Sequence, residues 1–257
     1  MKVAIVKYNA GNIRSVYFAL ERLGVAAVIT DDHEQLCAAD RVIFPGVGEA
    51  STTMHYLKEK KLDILRSVGI ARDLDQVRDK DEYVEEAYEK NITESFTINV
   101  DGKRKEEVDA FGVDLKAELA KPPEERSLPV FVHEEDGEEI YILPLQGKGL
   151  WGPIWGYISL EEDMSTIYGA IFAHAKETPG LGAEINTEWY QAQYEGKKIF
   201  DHTGDFTSVK VVKGGADPDD PHAVDAISGG TITSVGLQEM MEVCLGNYIT
   251  FLKNKSN

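Results

Sequence analysis

Val130-Phe-Val-His133 and Ile140-Tyr-Ile-Leu-Pro-Leu145 flank Asp136-Gly137. An Asp-Gly pair between two apolar runs predicts a hairpin with a two-residue turn, because such a turn needs positive φ at its central positions. Outward from that hairpin, residues 157–160 and 166–174 alternate as strands. Residues 96–100 predict another strand, followed by Asp101-Gly102, and residues 208–212 a further one. A short helix is predicted over 188–194, before Gly196, and apolar residues recur at helical spacing over 237–252. Lys121-Pro-Pro-Glu124 and the Asp-, Pro- and Gly-rich stretch 214–221 read as loops. The expected class is α+β, with an antiparallel sheet and flanking helices.

The first quarter of the chain follows another rhythm. Residues 2–8, 26–30 and 41–44 predict strands, while 13–23, ending at Gly24, and 49–60 predict helices. Strand–helix alternation of this kind implies a parallel sheet, here only part of one. It stops near Leu62. The expected organisation is a partial α/β segment over 1–62, a charged helical connector over 63–95, and a domain over 96–257.

Charge marks the same step. The net charge is −18, yet residues 1–65 hold eight basic and eight acidic residues, so the remaining 19 basic and 37 acidic residues supply all of it. The acidic segment argues against nucleic acid as a partner, whose phosphates it would repel. Two cysteines, Cys37 and Cys244, set up neither a disulfide framework nor a metal-ligand spacing, and no metal is expected. No run of 18 apolar residues occurs, so the chain as written is expected to be soluble.

The chemistry points to Asp225-Ala-Ile-Ser228-Gly229-Gly230-Thr231. A threonine hydroxyl is a weak nucleophile and needs an external catalyst to form a phosphoester. Gly229 and Gly230 let backbone approach a phosphate closely, and their N–H groups are able to cradle it. Asp225 is near enough to be read by a modifying enzyme or to help hold a cation. The competing structural reading is a turn before the final helix, with Thr233 or Ser234 as N-cap. Upstream, His174-Ala-Lys-Glu177-Thr178-Pro-Gly180-Leu181-Gly182 reads either as a strand-to-helix loop or as a bare surface for a planar ring. Gly147-Lys-Gly149-Leu150-Trp151-Gly152-Pro-Ile-Trp-Gly156 has four glycines in ten positions, more than a plain hairpin requires.

These motifs, in this order, resemble the NqrC subunit of the sodium-translocating NADH:quinone oxidoreductases, from about Ile64 to the C-terminus. Residues 143–157, the His174 to Gly182 run and Gly196-Lys-Lys-Ile-Phe200 carry the likeness. The resemblance implies flavin mononucleotide (FMN) held covalently on the threonine of a Ser-Gly-Ala-Thr motif, here Ser228 to Thr231 with Gly230 in place of alanine. It implies electron transfer from an iron–sulfur centre to a second covalent FMN on a neighbouring subunit, with no catalytic residue in this chain. Expected flavin neighbours are Asp225, Ser228, Gly229 and Gly230, the loop Leu150, Trp151 and Gly152, and His174, Glu177, Thr178, Gly180, Leu181 and Gly182. Expected partners are the other subunits and a flavin transferase. The corresponding subunit of the ion-translocating ferredoxin:NAD oxidoreductases is the nearest alternative; the 147–156 stretch favours the quinone-reductase member. That family is an inner-membrane one, with the FMN domain on the outer side, and begins with a membrane helix absent from this chain.

Val6-Lys-Tyr-Asn-Ala-Gly-Asn-Ile-Arg-Ser15 and Ile43-Phe-Pro45-Gly-Val-Gly48-Glu49 resemble instead the start of the glutaminase subunit of imidazole glycerol phosphate synthase, a class I amidotransferase of histidine biosynthesis. There the Pro45 to Gly48 loop would serve oxyanion stabilisation. Glutaminase chemistry needs a cysteine at a sharp strand-to-helix turn with histidine and carboxylate partners. The chain has only Leu65-Arg-Ser-Val-Gly69 where that cysteine should stand, and Val243-Cys244-Leu-Gly246 lies in a helical context with no histidine after it. Glutaminase activity is therefore not expected, and the chain reads as a fusion of two partial genes.

Overall fold

The structure, a computed structural model, describes residues 2–7, 13–43, 50–72, 74–105 and 108–255. It divides into two units, Met1–Lys60 and Lys61–Asn257. In the first, β1 (Val3–Val6) is fully buried, as its apolar run requires. Helix α1 (Ile13–Arg22) ends in Gly24 at φ +71°, with Val25 N–H donating to the Leu20 carbonyl and Gly24 N–H to that of Glu21. That pairing is the Schellman motif, in which glycine takes the left-handed position. Then come β2 (Ala27–Thr30), α2 (His33–Cys37) and β3 (Arg41–Ile43), giving a parallel sheet ordered β2-β1-β3. The expected Pro45 to Gly48 oxyanion loop lies outside the described residues.

Helix α3 (Ala50–Ser67) extends well past the predicted end at residue 60, and α4 (Lys80–Asn91) is capped by the Asp79 side chain. The second unit is built on β4 (Ile92–Ile98), β5 (Arg104–Lys105), β6 (Leu128–Glu135), β7 (Glu138–Lys148), β8 (Pro153–Leu160) and β9 (Ile167–His174), with α5 (Leu115–Leu119) between β5 and β6. These strands form one antiparallel sheet in the order β5-β4-β6-β7-β8-β9. The hairpin forms as its sequence demands: Glu135 pairs with Glu138, and Asp136 and Gly137 sit at φ +53° and +89°. Strand β4 starts four residues before the predicted position because Thr93, Glu94 and Ser95 leave its first half without an apolar alternation.

Alternate residues of β6 and β7 face opposite ways, and both faces are covered. Phe131, Ile140 and Ile142 pack with Ile64 and Val68 from the end of α3, while Val130, Val132, Leu143 and Leu145 pack on the other side. After α6 (Glu188–Gln191), β10 (Lys210–Val212) and β11 (Ala223–Asp225) form a separate parallel pair, so residues 208–212 do not extend the antiparallel sheet. Two helices close the fold, α7 (Thr231–Gly246) and α8 (Ile249–Lys255), in place of the single predicted helix. Helix α7 begins six residues early. Its first turn, Thr231-Ile-Thr233, is β-branched and disguises the helix.

Helix α7 covers the sheet with Leu237, Met240, Met241, Cys244 and Leu245, all within 2% of complete burial. Each such side chain contributes roughly 1.5–3 kcal/mol. The close approach depends on glycine. A Cβ on Gly147 would stand 2.6 Å from that of Met240, and one on Gly156 would fall on the Ile171 carbonyl oxygen in β9. No helix among the described residues is long and apolar enough to cross a membrane. We expect Gly156→Ala to cost at least about 3 kcal/mol in urea unfolding. Gly152→Ala, whose Cβ would meet nothing nearer than 3.5 Å, should change stability by no more than about 0.5 kcal/mol.

Candidate functional site

Three segments distant in sequence converge at one end of the sheet. The first joins β7 to β8, where Gly149 N–H donates to the Gly152 carbonyl at 2.8 Å and the turn pushes Leu150 and Trp151 into solvent. The second follows β9, where the chain turns at His174 and drives Glu177 inward to 5% exposure. The third is the turn from Ile227 to Gly230, closed by Gly230 N–H on the Ile227 carbonyl at 3.0 Å, with Gly229 at φ +74°. Its inner side is held by Ser234, whose hydroxyl accepts from Ile227 N–H and donates to the Gly230 carbonyl.

The Glu177 carboxylate ties all three together. One oxygen accepts from Trp151 N–H at 2.8 Å and the other from the Thr233 hydroxyl at 2.6 Å. Glycine is required on either side of it. A Cβ on Gly149 would lie 2.6 Å from Oε1, and a Cβ on Gly182 2.5 Å from both Oε2 and the Thr233 hydroxyl oxygen. A buried carboxylate is tolerated only when its oxygens are hydrogen-bonded. Among the described residues these two donors do that work and no cation pairs with it.

Between the segments lies a cleft of about 270 Å³. Of the residues expected there, Leu150, Trp151, Glu177, Thr178, Leu181 and Gly182 line one side, and Gly229, Gly230 and Thr231 the other. Gly152, His174, Gly180, Asp225 and Ser228 do not line it. Asp225 ends β11 and instead accepts from Ala216 N–H at 2.6 Å. His174 acts from behind, its Nδ1 accepting from Glu177 N–H at 3.3 Å, while its buried Nε2 has no partner. This replaces the expected surface pairing of the two side chains.

Sequence reasoning missed two lining residues, Ile232 and Thr233. Thr233 and Ser234 are not N-caps: Gly230 holds the cap position, no side chain caps the helix, and both hydroxyls are buried and engaged. The signal for Thr233 was its place two residues beyond Thr231, but only the fold brings Glu177, 56 residues upstream, to its hydroxyl.

A family model described as an FMN-binding domain matches residues 149–246, which contain every segment of the cleft. The chain is similar to the crystal structure of the NqrC subunit of the Na(+)-translocating NADH-quinone reductase from Parabacteroides distasonis, with 42% identity and a TM-score of 0.69, over 80% of this chain and 98% of that one. The chain belongs to the NqrC family of Na(+)-translocating NADH-quinone reductase subunits. NqrC of Pseudomonas aeruginosa is 37% identical over 136 residues, 51% of this chain and 52% of the relative. The chain thus spans about half the length of the curated NqrC sequences it matches. The likeness at the other end has a different source: imidazole glycerol phosphate synthase subunit HisH of Bacteroides fragilis is 73% identical over 63 residues, 24% of this chain and 32% of that protein.

The cleft fits a flavin phosphate on independent grounds. The uncapped start of α7 leaves the first-turn N–H groups without intrahelical acceptors, which favours an anion. Gly229 is indispensable, since a Cβ there would stand 2.6 Å from Leu181 Cδ2. The volume lies below the roughly 300–1,000 Å³ of pockets that enclose a ligand, which suits a tethered group that keeps contact with solvent. We expect Gly182→Ala to cost roughly 1–3 kcal/mol by breaking the Glu177–Thr233 bond. Gly180→Ala, with open space around it but φ +74°, should cost about 1 kcal/mol. Equal urea midpoints for the two variants would contradict this account of Glu177.

Proposed function

We propose that this chain carries FMN as a phosphoester on Thr231 and serves as the flavin subunit of a sodium-translocating NADH:quinone reductase. The observation that carries this reading is the position of Thr231: it opens α7 at an uncapped end and lines the cleft. The neighbouring candidate, Thr233, is 1% exposed with its hydroxyl committed to Glu177. In the modification the Thr231 oxygen bonds to the flavin phosphorus, the bond from that phosphorus to its former leaving group breaks, and the hydroxyl proton departs. A flavin transferase supplies the activation that a threonine hydroxyl lacks.

When bound, the flavin supplies one-electron chemistry. The residues of this chain hold and shield it. The first-turn N–H groups of α7 face the phosphate charge, Gly229 and Gly230 keep the approach open, and Leu150, Trp151, Leu181 and Ile232 form an apolar rim. On this reading residues 96–257 are the flavin domain, 63–95 its connector, and 1–62 a segment without glutaminase chemistry. Cys244, the only cysteine of the second unit, is no nucleophile, because burial in α7 pushes its thiol up to about 11. The remaining members of the complex deliver and accept the electrons, with this domain on the outer side of the inner membrane.

The test is co-expression of the full chain with a flavin transferase and magnesium, followed by ultraviolet-excited fluorescence of a denaturing gel. The wild type and Thr233→Ala should give a fluorescent band and Thr231→Ala none. Covalent flavin persisting in Thr231→Ala would sink the assignment.

A further inference from the structure

The Glu177 carboxylate is in an unusual position. It is buried, it lines the same cleft as Thr231, and neither of its two hydrogen bonds comes from a cation. For holding three loops together a neutral amide would serve as well. Glutamine in the same rotamer accepts from Trp151 N–H through Oε1 and donates to the Thr233 hydroxyl oxygen through Nε2, with the same volume. The negative charge is therefore not needed for packing, and burying it opposes folding. We propose that Glu177 is a positioning residue whose charge also sets the reduction potential of the flavin carried on Thr231, holding it lower than a neutral site would.

The physics is direct. Each electron that a reductant adds to the flavin ring without an accompanying proton adds one negative charge. A fixed carboxylate in the same low-dielectric cleft opposes that step, and solvent screens it little because the group is buried. Removing the charge favours the reduced form. At an effective dielectric of about 20 and a separation on the order of 10 Å, the ratio of reduced to oxidised flavin at fixed solution potential rises by roughly ten-fold. Hydrogen bonds and charges near the ring are the means by which a protein tunes this cofactor. The rim gives an independent handle. Ile232 lines the cleft at 61% exposure, so a cation placed there acts on the same field without disturbing the core.

This inference rests on the flavin reading above. The experiment uses the full chain co-expressed with flavin transferase, with covalent loading checked first by in-gel fluorescence. The potential is then measured by dithionite titration against indicator dyes. Glu177→Gln should load and raise the reduced-to-oxidised ratio about ten-fold at a fixed potential, and Ile232→Lys should shift it in the same direction. A loaded Glu177→Gln with the wild-type potential overturns the inference while leaving the flavin assignment intact. Should Glu177→Gln fail to fold, an unshifted potential in Ile232→Lys overturns it. A wild-type band without fluorescence overturns this inference together with the reading beneath it.

Discussion

The candidate site is held in shape by the Glu177 carboxylate, shared between the Trp151 N–H and the Thr233 hydroxyl. A carboxylate at this depth is stable only if each oxygen finds a donor. The two donors come from the β7–β8 turn and the first turn of α7, so satisfying one side chain fixes the relation of three segments. Gly149 and Gly182 are small for the same reason, since any Cβ there would displace the carboxylate. Thr231 sits where it does because Thr233, two residues on, is bound inward.

Beneath that tie lies a sheet buried on both sides. Helix α7 crosses β7 closely enough that Gly147 meets Met240, and Gly236 meets the Lys148 carbonyl. The polar groups of this interface are accounted for: Tyr248 donates to the Pro129 carbonyl at 2.9 Å, and Cys244 accepts from Gln146 N–H. A rigid platform of this kind allows the loops above it to present an exposed tryptophan and a helix end without filling the cleft themselves. The cost of leaving α7 uncapped, on the order of 1 kcal/mol for a missing side-chain cap, is borne by that packing.

Much of this was legible in the sequence because it is local. Asp136-Gly137 dictated the hairpin, Gly24 the end of α1, and the alternation of residues 166–174 its strand. The expected glycine turn before Thr231 is present, and nine of the fourteen expected flavin neighbours line one cleft. What escaped is non-local. The excess glycines of 147–156 answer to Met240, Glu177 and Ile171, which periodicity within that stretch cannot reveal. The β-branched start of α7 hid the helix, and with it the inward binding of Thr233. Asp225 and His174, prominent in the motifs, support the site from outside the cleft. Residues 1–43 show the opposite balance: their strands and helices were readable, but the chemistry expected of them falls on a loop beyond the described residues.

The central claim is that this architecture singles out one hydroxyl. Tryptic cleavage yields the peptide of residues 214–253, which contains Ser228, Thr231 and Thr233 together. Tandem mass spectrometry of that peptide, taken from chain co-expressed with a flavin transferase, locates any flavin phosphate residue by residue. The account predicts the modification on Thr231 alone. Flavin on Thr233 or Ser228, or an unmodified peptide beside a fully modified control substrate, would contradict it.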